Sequence, residues 1–499
     1  MPQSTVEERR FGAAKSLLPK GGLCLLSSRT TVPQKPNSYF AKIKAPIFPH
    51  SPKNLQCPPV LFRYHFHMPA PPTESLILTF EDARRVVEQH ASQATPRESE
   101  TLDLLPSAGR ILAEPISADR DIPPFPRSTR DGYAVRGADL ARLPAKLKVI
   151  GEIKAGPQPG QNASVLHRGE AFAIMTGAPV PQGADAVVMV EYTTPQDHSV
   201  EITKGSAPGE NIVPQGAEAK RGSLLVDAGA RLDEAAIALA ASVGKSKLNV
   251  FVRPRVAILT TGDEIVAVDA EPGPAQIRNS NTYSLAVQVR EAGGDPVLLP
   301  IAPDEPRRLR QLIEEGLRSD LLIMTGGVSM GRYDLVEQVL ADLQAEFFFT
   351  GAKIQPGKPV VFGRVRSNRA GAPTREKASA PGSHKSSHTY FFGLPGNPVS
   401  TMVTFELFSR PMLEALAGMP PRPLTFLYAH LKSEIRVKTG LTRFLPAILS
   451  GEYEDSRVET VPWQGSGDIA ARARANCYIV IPPSREHILA GEWIAVMLR

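Results

Sequence analysis

Hydrophobic residues between about 251 and 419 follow a repeated pattern of strand, glycine-rich loop and helix. Short apolar runs that end in Gly, Thr or Asn are typical of buried strands in a parallel sheet, and the amphipathic stretches between them are typical of covering helices. The pattern predicts strands at Val256–Leu259, Val297–Ile301, Leu321–Met324, Glu346–Phe349 and Tyr390–Gly393, and helices near Thr282–Ala292, Asp304–Arg318, Tyr333–Leu343 and Val399–Leu416. We therefore predict a parallel α/β unit at 251–419.

The segments around this unit have different patterns. Residues 126–214 carry short apolar runs separated by Gly and Pro, which predicts an inserted β-rich domain, and 420–499 alternate over short runs as in a small β-barrel or sandwich. Thr79 and Asp82 have the spacing of a capping box at the start of a helix. Residues 224–248 have a helical pattern and are expected to pack with the first ordered segment, so that 76–125 and 215–250 form one N-terminal linker domain.

Charge is unevenly distributed along the 499 residues, which carry a net +6. Residues 1–75 hold ten Lys/Arg against three Glu, and Arg364–Thr389 hold six against one, so that the remainder has 41 basic and 47 acidic residues. Both basic tracts are rich in Ser or Pro and are expected to be disordered, the second as an insert at 364–389. The charge balance therefore argues against nucleic-acid binding.

Three cysteines without a C-x-x-C pair encode neither a disulfide framework nor a zinc site, which favours a reducing, cytoplasmic compartment. No apolar run is long enough to span a membrane. The basic, acid-poor start leaves a mitochondrial transit peptide as an alternative, although Glu7, Glu8 and many prolines argue against an amphipathic helix there.

Three polar loops follow predicted strands, where ligands of open parallel sheets bind. They are Thr260–Glu264, Thr325–Ser329 and Leu394–Pro398. Glycines in such loops let backbone amides approach an anion closely. Three loops of this kind at neighbouring strand ends predict a site for a phosphate-bearing ligand, although each alone could be an ordinary turn.

Carboxylates accompany these loops at Asp263, Glu264, Asp304 and Asp334. Mg²⁺ prefers one or two protein carboxylates together with phosphate and water, so the loops could share a magnesium site. Asp304 could equally be a helix N-cap. Lys358, in the turn Gln355–Pro359, could neutralise an oxyanion.

Two other motifs compete with this interpretation. Gly327–Gly331 matches G-x-S-x-G, the nucleophile elbow of α/β-hydrolases, with Ser329 as nucleophile, but no later histidine lies in a loop of the α/β unit. Gly465–Ala470 matches G-x-G-x-x-A, but no parallel strand precedes it and no acidic partner follows at the expected distance.

Six segments in register closely resemble the molybdopterin molybdenumtransferase family. They are Ser128–Val135, Ile174–Pro181, Thr261–Glu264, Thr325–Gly331, Pro356–Pro359 and Gly393–Ser400, and the resemblance covers about 76–499. It implies an elongated homodimer of four-domain chains whose α/β unit resembles molybdopterin adenylyltransferase. It also implies an enzyme that cleaves adenylated molybdopterin with Mg²⁺, releases AMP and inserts molybdate into the dithiolene.

The resemblance also implies roles for individual residues. Those expected in the cleft are Asp131, Thr176, Glu264, Asp304, Asp334, Pro395 and Pro398, with Ser329, Lys358 and Ser400 near the ligand. The loops add Thr261, Gly262, Asp263, Gly326, Gly327, Gly396 and Asn397. We expect catalytic roles for Asp131, Glu264, Asp334 and Lys358, with Asp131 and Asp334 holding the metal. A plain turn at Asp131-Gly132 is the alternative.

The chain departs from the family pattern at two positions beside the expected molybdate pocket. Gln355 stands where the family often has Lys, and Pro446 where it commonly has Arg, while Lys353 and Arg443 lie close by in sequence. A pterin-binding scaffold without turnover is therefore a further alternative. One α/β unit of this kind is predicted, so the adenylyltransferase is expected to be a separate chain.

Overall fold

The computed structural model describes residues 76–96, 98–156, 165–327, 335–366 and 388–498. The predicted disordered extension 1–75 and most of the predicted insert lie outside these ranges. No helix among the described residues is long and apolar enough to cross a membrane.

A six-stranded sheet forms the centre of the α/β unit. Its strands lie in the order Asp295–Leu298, Arg255–Thr260, Leu321–Thr325, His388–Leu394, Val361–Arg366 and Glu346–Phe349. The first four are parallel, as predicted, whereas the last two join antiparallel. The strand Val361–Arg366 was not predicted; it pairs antiparallel with His388–Leu394.

Helices cover both faces of this sheet. Asn281–Glu291, Pro398–Thr404, the π-helical turn Phe405–Ser409 and Arg410–Leu416 lie on one face, and Pro306–Gly316 and Leu335–Asp342 lie on the other. Strand residues of the sheet, such as Ile258 and Leu322, are fully buried between these layers. The predicted α/β architecture is confirmed.

The helix Phe80–Ala91 packs against the first of these faces. The Thr79 hydroxyl accepts a hydrogen bond from Asp82 N at 3.1 Å, as the capping spacing predicts. Phe80 meets Phe444 edge to face at 5.3 Å between ring centroids, and Arg84 Nη1 donates to Leu407 O at 2.6 Å. This helix therefore joins the core of the α/β unit and touches the C-terminal barrel.

Two separated segments form a small domain beside the α/β unit. Strand Ser99–Asp103 pairs with Lys247–Phe251, and Ile116–Ser117 pairs with Leu224–Val226. Their short helices are Leu104–Ser107 and Glu234–Ser242. The chain thus leaves this domain after its first two strands and returns a hundred residues later; the exact domain boundaries stay a prediction.

The intervening residues form a second six-stranded sheet. Its strands, in spatial order, are Ala186–Met189, Gly132–Val135, Glu170–Ile174, Ala145–Ile153, Ser199–Ile202 and Thr193–Gln196. A separate short pair, Arg127–Ser128 with Ile212–Val213, brings together the chain segments before and after these strands, and 3₁₀ turns occur at Gly137–Leu140 and Val190–Tyr192. Apolar clusters lie on both faces of this sheet.

The C-terminal region closes into a five-stranded barrel. Its strands are Thr442–Ser450, Arg457–Thr460, Leu427–Leu431, Trp493–Leu498 and Cys477–Ile481, and the last pairs back with the first. Smaller elements are the pair Ile435–Arg436 with His487–Ile488, the turn Tyr453–Asp455 and the helix Ile469–Arg474. The predicted small barrel is confirmed.

Three further strand pairs connect these regions locally. Ile77–Leu78 pairs with Gly351–Ala352, and Ile265–Val266 pairs with Ile277–Arg278. Ile354–Gln355 adds in parallel to the barrel strand at Thr442, which ties the α/β unit to the barrel.

Candidate functional site

The three polar loops lie at one edge of the α/β sheet. They follow Arg255–Thr260, Leu321–Thr325 and His388–Leu394, which are adjacent parallel strands. Thr261 N donates to Thr325 O at 3.0 Å, so the first two loops begin in direct contact. The parallel register therefore brings the predicted loops together.

Glycine at position 326 is required by the close approach of these loops. Its φ is +89°, and a Cβ there would lie 2.2 Å from Thr261 O. Gly396 approaches the same point from the third loop, because a Cβ on it would meet Gly326 Cα at 3.5 Å. Gly396 and Asn397 remain exposed, so their backbone can meet a ligand.

A buried polar cluster, which the sequence analysis missed, fixes the second and third loops. Asn281 Nδ2 donates to Thr325 Oγ1 at 3.0 Å and to Gly396 O at 2.8 Å. The Thr325 hydroxyl donates to Pro395 O at 3.0 Å, and the Thr401 hydroxyl donates to Pro395 O and Asn397 O. The polar residue at the end of an otherwise apolar strand, Thr325, is the one signal that the sequence offered.

Three carboxylates gather beside the first loop. Asp304 N donates to Asp263 Oδ1 at 3.0 Å. Burial raises the pKa of Asp304, and the charges of Asp263 and Glu264 raise it further. The helix that follows begins at Pro306 with Glu305 as its N-cap, so Asp304 is not the N-cap residue. Glu264 also crowds Gly262, since a Cβ there would lie 2.4 Å from Glu264 Oε2.

The turn around Lys358 packs where the α/β unit meets the barrel. Gly357 has a φ of +103°, and a Cβ on it would lie 2.4 Å from Thr404 Cγ2, while the Lys358 side chain is exposed. Gln355 lies opposite Arg443 in the barrel register. Arg443 is 7% exposed; its Nη2 donates to Lys438 O at 2.6 Å, and its Nε has no partner in the described structure.

Ser400 is almost completely buried, at 3% exposure. Its carbonyl accepts a hydrogen bond from the Thr404 hydroxyl at 2.8 Å. The same carbonyl oxygen lies 3.7 Å from the position of a Cβ at Gly357, so Ser400 is packed against the turn that carries Lys358.

Asp131 and Thr176 meet in the inserted β-rich region. Asp131 Oδ1 accepts hydrogen bonds from Thr176 N at 2.6 Å and from the Thr176 hydroxyl at 2.9 Å. The backbone bond, followed by the hydroxyl bond, lowers the pKa of the exposed Asp131. No hydrogen bond within the described ranges joins either side chain to the α/β unit.

Ser329 and Asp334 lie outside the described residues, so the predicted hydrolase nucleophile and the predicted metal ligand stay predictions. In the part of the chain that is described, no three His, Cys, Asp or Glu side chains are grouped to hold a metal ion.

Family models match almost the whole of the described chain. The MoeA N-terminal region (domain I and II) matches residues 78–244, a probable molybdopterin binding domain matches 257–415, and the MoeA C-terminal region (domain IV) matches 428–498.

Similar proteins span nearly the same length. The molybdopterin molybdenumtransferase of Nostoc sp. is 34% identical over 411 residues, covering 80% of this chain and 89% of its own. That of Haemophilus influenzae is 31% identical over 428 residues, covering 84% and 98%. A solved molybdopterin biosynthesis MoeA protein from Pyrococcus horikoshii is 32% identical with a TM-score of 0.61, covering 85% of this chain and 99% of that one. With three consecutive family models and relatives above 30% identity over most of its length, the chain belongs to the molybdopterin molybdenumtransferase family.

Proposed function

We propose that this protein is an enzyme of molybdenum cofactor biosynthesis that inserts molybdate into the dithiolene of adenylated molybdopterin and releases AMP. Family membership supports the reaction, and one structural observation carries it: the three loops locked together at the sheet edge by Thr261, Asn281 and Thr325. The two alternatives, a Ser329 hydrolase and a scaffold without turnover, receive no support from the related proteins.

The loops are suited to bind the phosphates of the adenylated substrate. Gly326, Gly327, Gly396 and Asn397 lie where the loops approach most closely, and the last three are exposed. Backbone amides in such loops donate to phosphate oxygens without a side chain in the way. The hydrogen bonds of the buried Asn281 side chain hold these amides in place before the ligand arrives, which lowers the entropic cost of binding.

The carboxylates fit the chemistry of Mg²⁺. Asp131 Oδ1 is occupied by Thr176, but its Oδ2 accepts no hydrogen bond from a described residue and the side chain is exposed. Because Mg²⁺ is usually held by one or two carboxylates, phosphate and water, Asp131 and Asp334 would suffice as protein ligands. The bound cation would neutralise charge that develops on the phosphoanhydride. Glu264 would orient the attacking water, and Asp304 would support the loop that carries Glu264.

Molybdate would bind where the α/β unit meets the barrel. Lys358, Ser329 and Ser400 are the proposed contacts for this dianion. The exposed ammonium of Lys358 and the incompletely paired guanidinium of Arg443 make this junction cationic, although the chain has Gln355 and Pro446 at the two departing positions. The positive charge of Lys358 and Arg443 would attract an oxyanion even though neither Gln355 nor Pro446 offers a cationic side chain.

The cleft is proposed to be shared between two copies of the chain. Asp131 and Thr176 belong to a different sheet from the phosphate loops, and no described hydrogen bond connects them within one chain. A C2 dimer would bring them together twice, in two composite sites. We further propose a cytoplasmic location, and a molybdopterin adenylyltransferase on a separate chain as the source of the substrate.

The Asp334→Asn variant tests this assignment, because it keeps the side-chain volume and removes one charge. If Asp334 serves the metal, AMP release should fall at least ~100-fold, nearly 3 kcal/mol of barrier, while pterin binding changes little. Asp269→Asn is the matched control, because Asp269 is an exposed loop residue. Near-normal turnover of Asp334→Asn would remove Asp334 from the reaction.

A further inference from the structure

The motif Gly465–Ala470, which does not belong to a dinucleotide site, forms the turn that begins the helix Ile469–Arg474 of the barrel region. The Asp468 carboxylate holds the turn, because it accepts from Ala471 N at 2.9 Å and from Gln464 N at 3.0 Å. Gly465 has a φ of +110°, which only glycine adopts without strain. These contacts fix the backbone of the turn and with it the position of Ser466, the residue between the two glycines.

Ser466 contacts the third polar loop, Leu394–Pro398, directly. Its hydroxyl oxygen accepts a hydrogen bond from Asn397 Nδ2 at 2.9 Å, and its carbonyl accepts from Val399 N at 3.0 Å. Pro398 has no N–H, and Thr401 N donates to Asn397 O. Ser466, in the barrel region, thus accepts hydrogen bonds from the Val399 amide and from the Asn397 side chain.

The third loop is consequently held from two sides. Asn281, from the α/β unit, binds Gly396 O, and Ser466, from the barrel, binds the neighbouring Asn397. Asn281 itself is buried within the unit, whereas Asn397 is exposed and Ser466 is half-buried. The contact with Ser466 is therefore the one that depends on how the barrel sits against the α/β unit.

We propose that Ser466 is a positioning residue of the reaction, through which the C-terminal barrel sets the direction of the Gly396–Asn397 amides toward the substrate phosphate. The proposal rests on the proposed function of this loop. Ser466 acts through Asn397 and need not touch the substrate itself.

The Ser466→Ala variant tests the proposal. It removes the acceptor of the Asn397 amide and leaves the backbone bond to Val399, so the kcat of AMP release should fall about 5- to 10-fold, the effect of one lost neutral hydrogen bond. Ser466→Thr keeps the hydroxyl and should stay within about twofold of the unchanged protein. Ser484→Ala, in an exposed turn of the same region, is the matched control and should have no effect.

A double-mutant cycle separates positioning from general destabilisation. In an Asn397→Ala background, Ser466→Ala should change kcat by less than about twofold, because its partner has already been removed. The same loss in both backgrounds, or an unchanged kcat in the single variant, would overturn the proposal. A protein that releases no AMP before any substitution contradicts the proposed function instead.

Hydrogen–deuterium exchange of the peptide Pro395–Thr401 tests the contact without substrate. Exchange should be at least about threefold faster in Ser466→Ala than in Ser484→Ala, since the loop loses the hydrogen bond between Asn397 and the Ser466 hydroxyl. Equal exchange in the two variants would show that Ser466 does not hold the loop, whatever the enzymatic activity.

Discussion

Thr176 donates two hydrogen bonds, from its backbone amide and its hydroxyl, to a single carboxylate oxygen of Asp131. The arrangement fixes the carboxylate, keeps it ionised through a lowered pKa and leaves the second oxygen open. The proposed metal role of Asp131 rests on this second oxygen, because a carboxylate held by an amide and a hydroxyl also occurs in plain turns.

A composite cleft predicts complementation between two inactive variants. Mixing Asp131→Asn chains with Asp334→Asn chains should restore AMP release, because a mixed dimer has one site with both substitutions and one with neither. With random exchange about half of the dimers are mixed, so about a quarter of all sites should be intact.

Native mass spectrometry of isotopically labelled chains serves as the control that subunits exchange. If mixed dimers form and no activity returns, each cleft is built from one chain and the shared-site proposal is wrong.

Gly326 and Gly396 provide a matched pair for the loop geometry. Gly326→Ala forces a Cβ to 2.2 Å from Thr261 O at a positive φ, whereas the nearest neighbour of a Cβ at Gly396 is 3.5 Å away. We expect Gly326→Ala to lose at least ~2 kcal/mol of unfolding free energy and Gly396→Ala less than ~1 kcal/mol. Urea unfolding measures the free energy of unfolding of both variants. Equal losses would contradict the close contact of Gly326 with Thr261 O.

The α/β unit was largely predictable because its strands are continuous apolar runs that end in glycine or threonine. Each predicted strand from Val256 to Gly393 appears within a few residues. The edge strand Val361–Arg366 escaped prediction, since Gly363 and two arginines interrupt its apolar pattern. The strands there also take in Arg364 and Thr389, at the ends of the predicted insert.

The candidate site was predictable only where a motif is local. The glycines and carboxylates of the loops can be recognised in the sequence because they follow predicted strands directly. Asn281 and Ser466, in contrast, form hydrogen bonds with residues 115 and 69 positions away, and no spacing in the sequence indicates these pairs. The Asp131 to Thr176 contact likewise joins two residues that lie 45 positions apart. Long-range pairs of this kind require the sheet register to be known.

The pKa of Asp304 predicts a pH-dependent stability. Burial and two neighbouring carboxylates raise it, so ionisation of Asp304 opposes folding. This cost is absent below the unfolded pKa of ~3.9, grows as pH rises above that value and is complete once pH exceeds the folded pKa. Asp304→Asn should therefore raise Tm at neutral pH, and the gain should vanish as pH falls toward about 4. Asp269→Asn is the control, and a gain that did not depend on pH would contradict the assignment.

Residues 1–75 and 367–387 should be dispensable for catalysis. Arg366 and His388 are partners in the antiparallel pair of strands, so an Asn-Gly turn can replace 367–387 without disturbing either strand. AMP release should stay within about threefold, under ~1 kcal/mol of barrier, after both changes. A folded deletion variant that loses activity would show that a basic tract helps to capture the anionic substrate.

Molybdenum insertion itself is the central claim, and one reaction tests it most directly. Purified protein is mixed with adenylated molybdopterin, Mg²⁺ and molybdate, and AMP release is followed together with molybdenum bound to the pterin. The account predicts protein-dependent AMP release with one molybdenum incorporated for each AMP. AMP that does not rise above a blank without protein would contradict it.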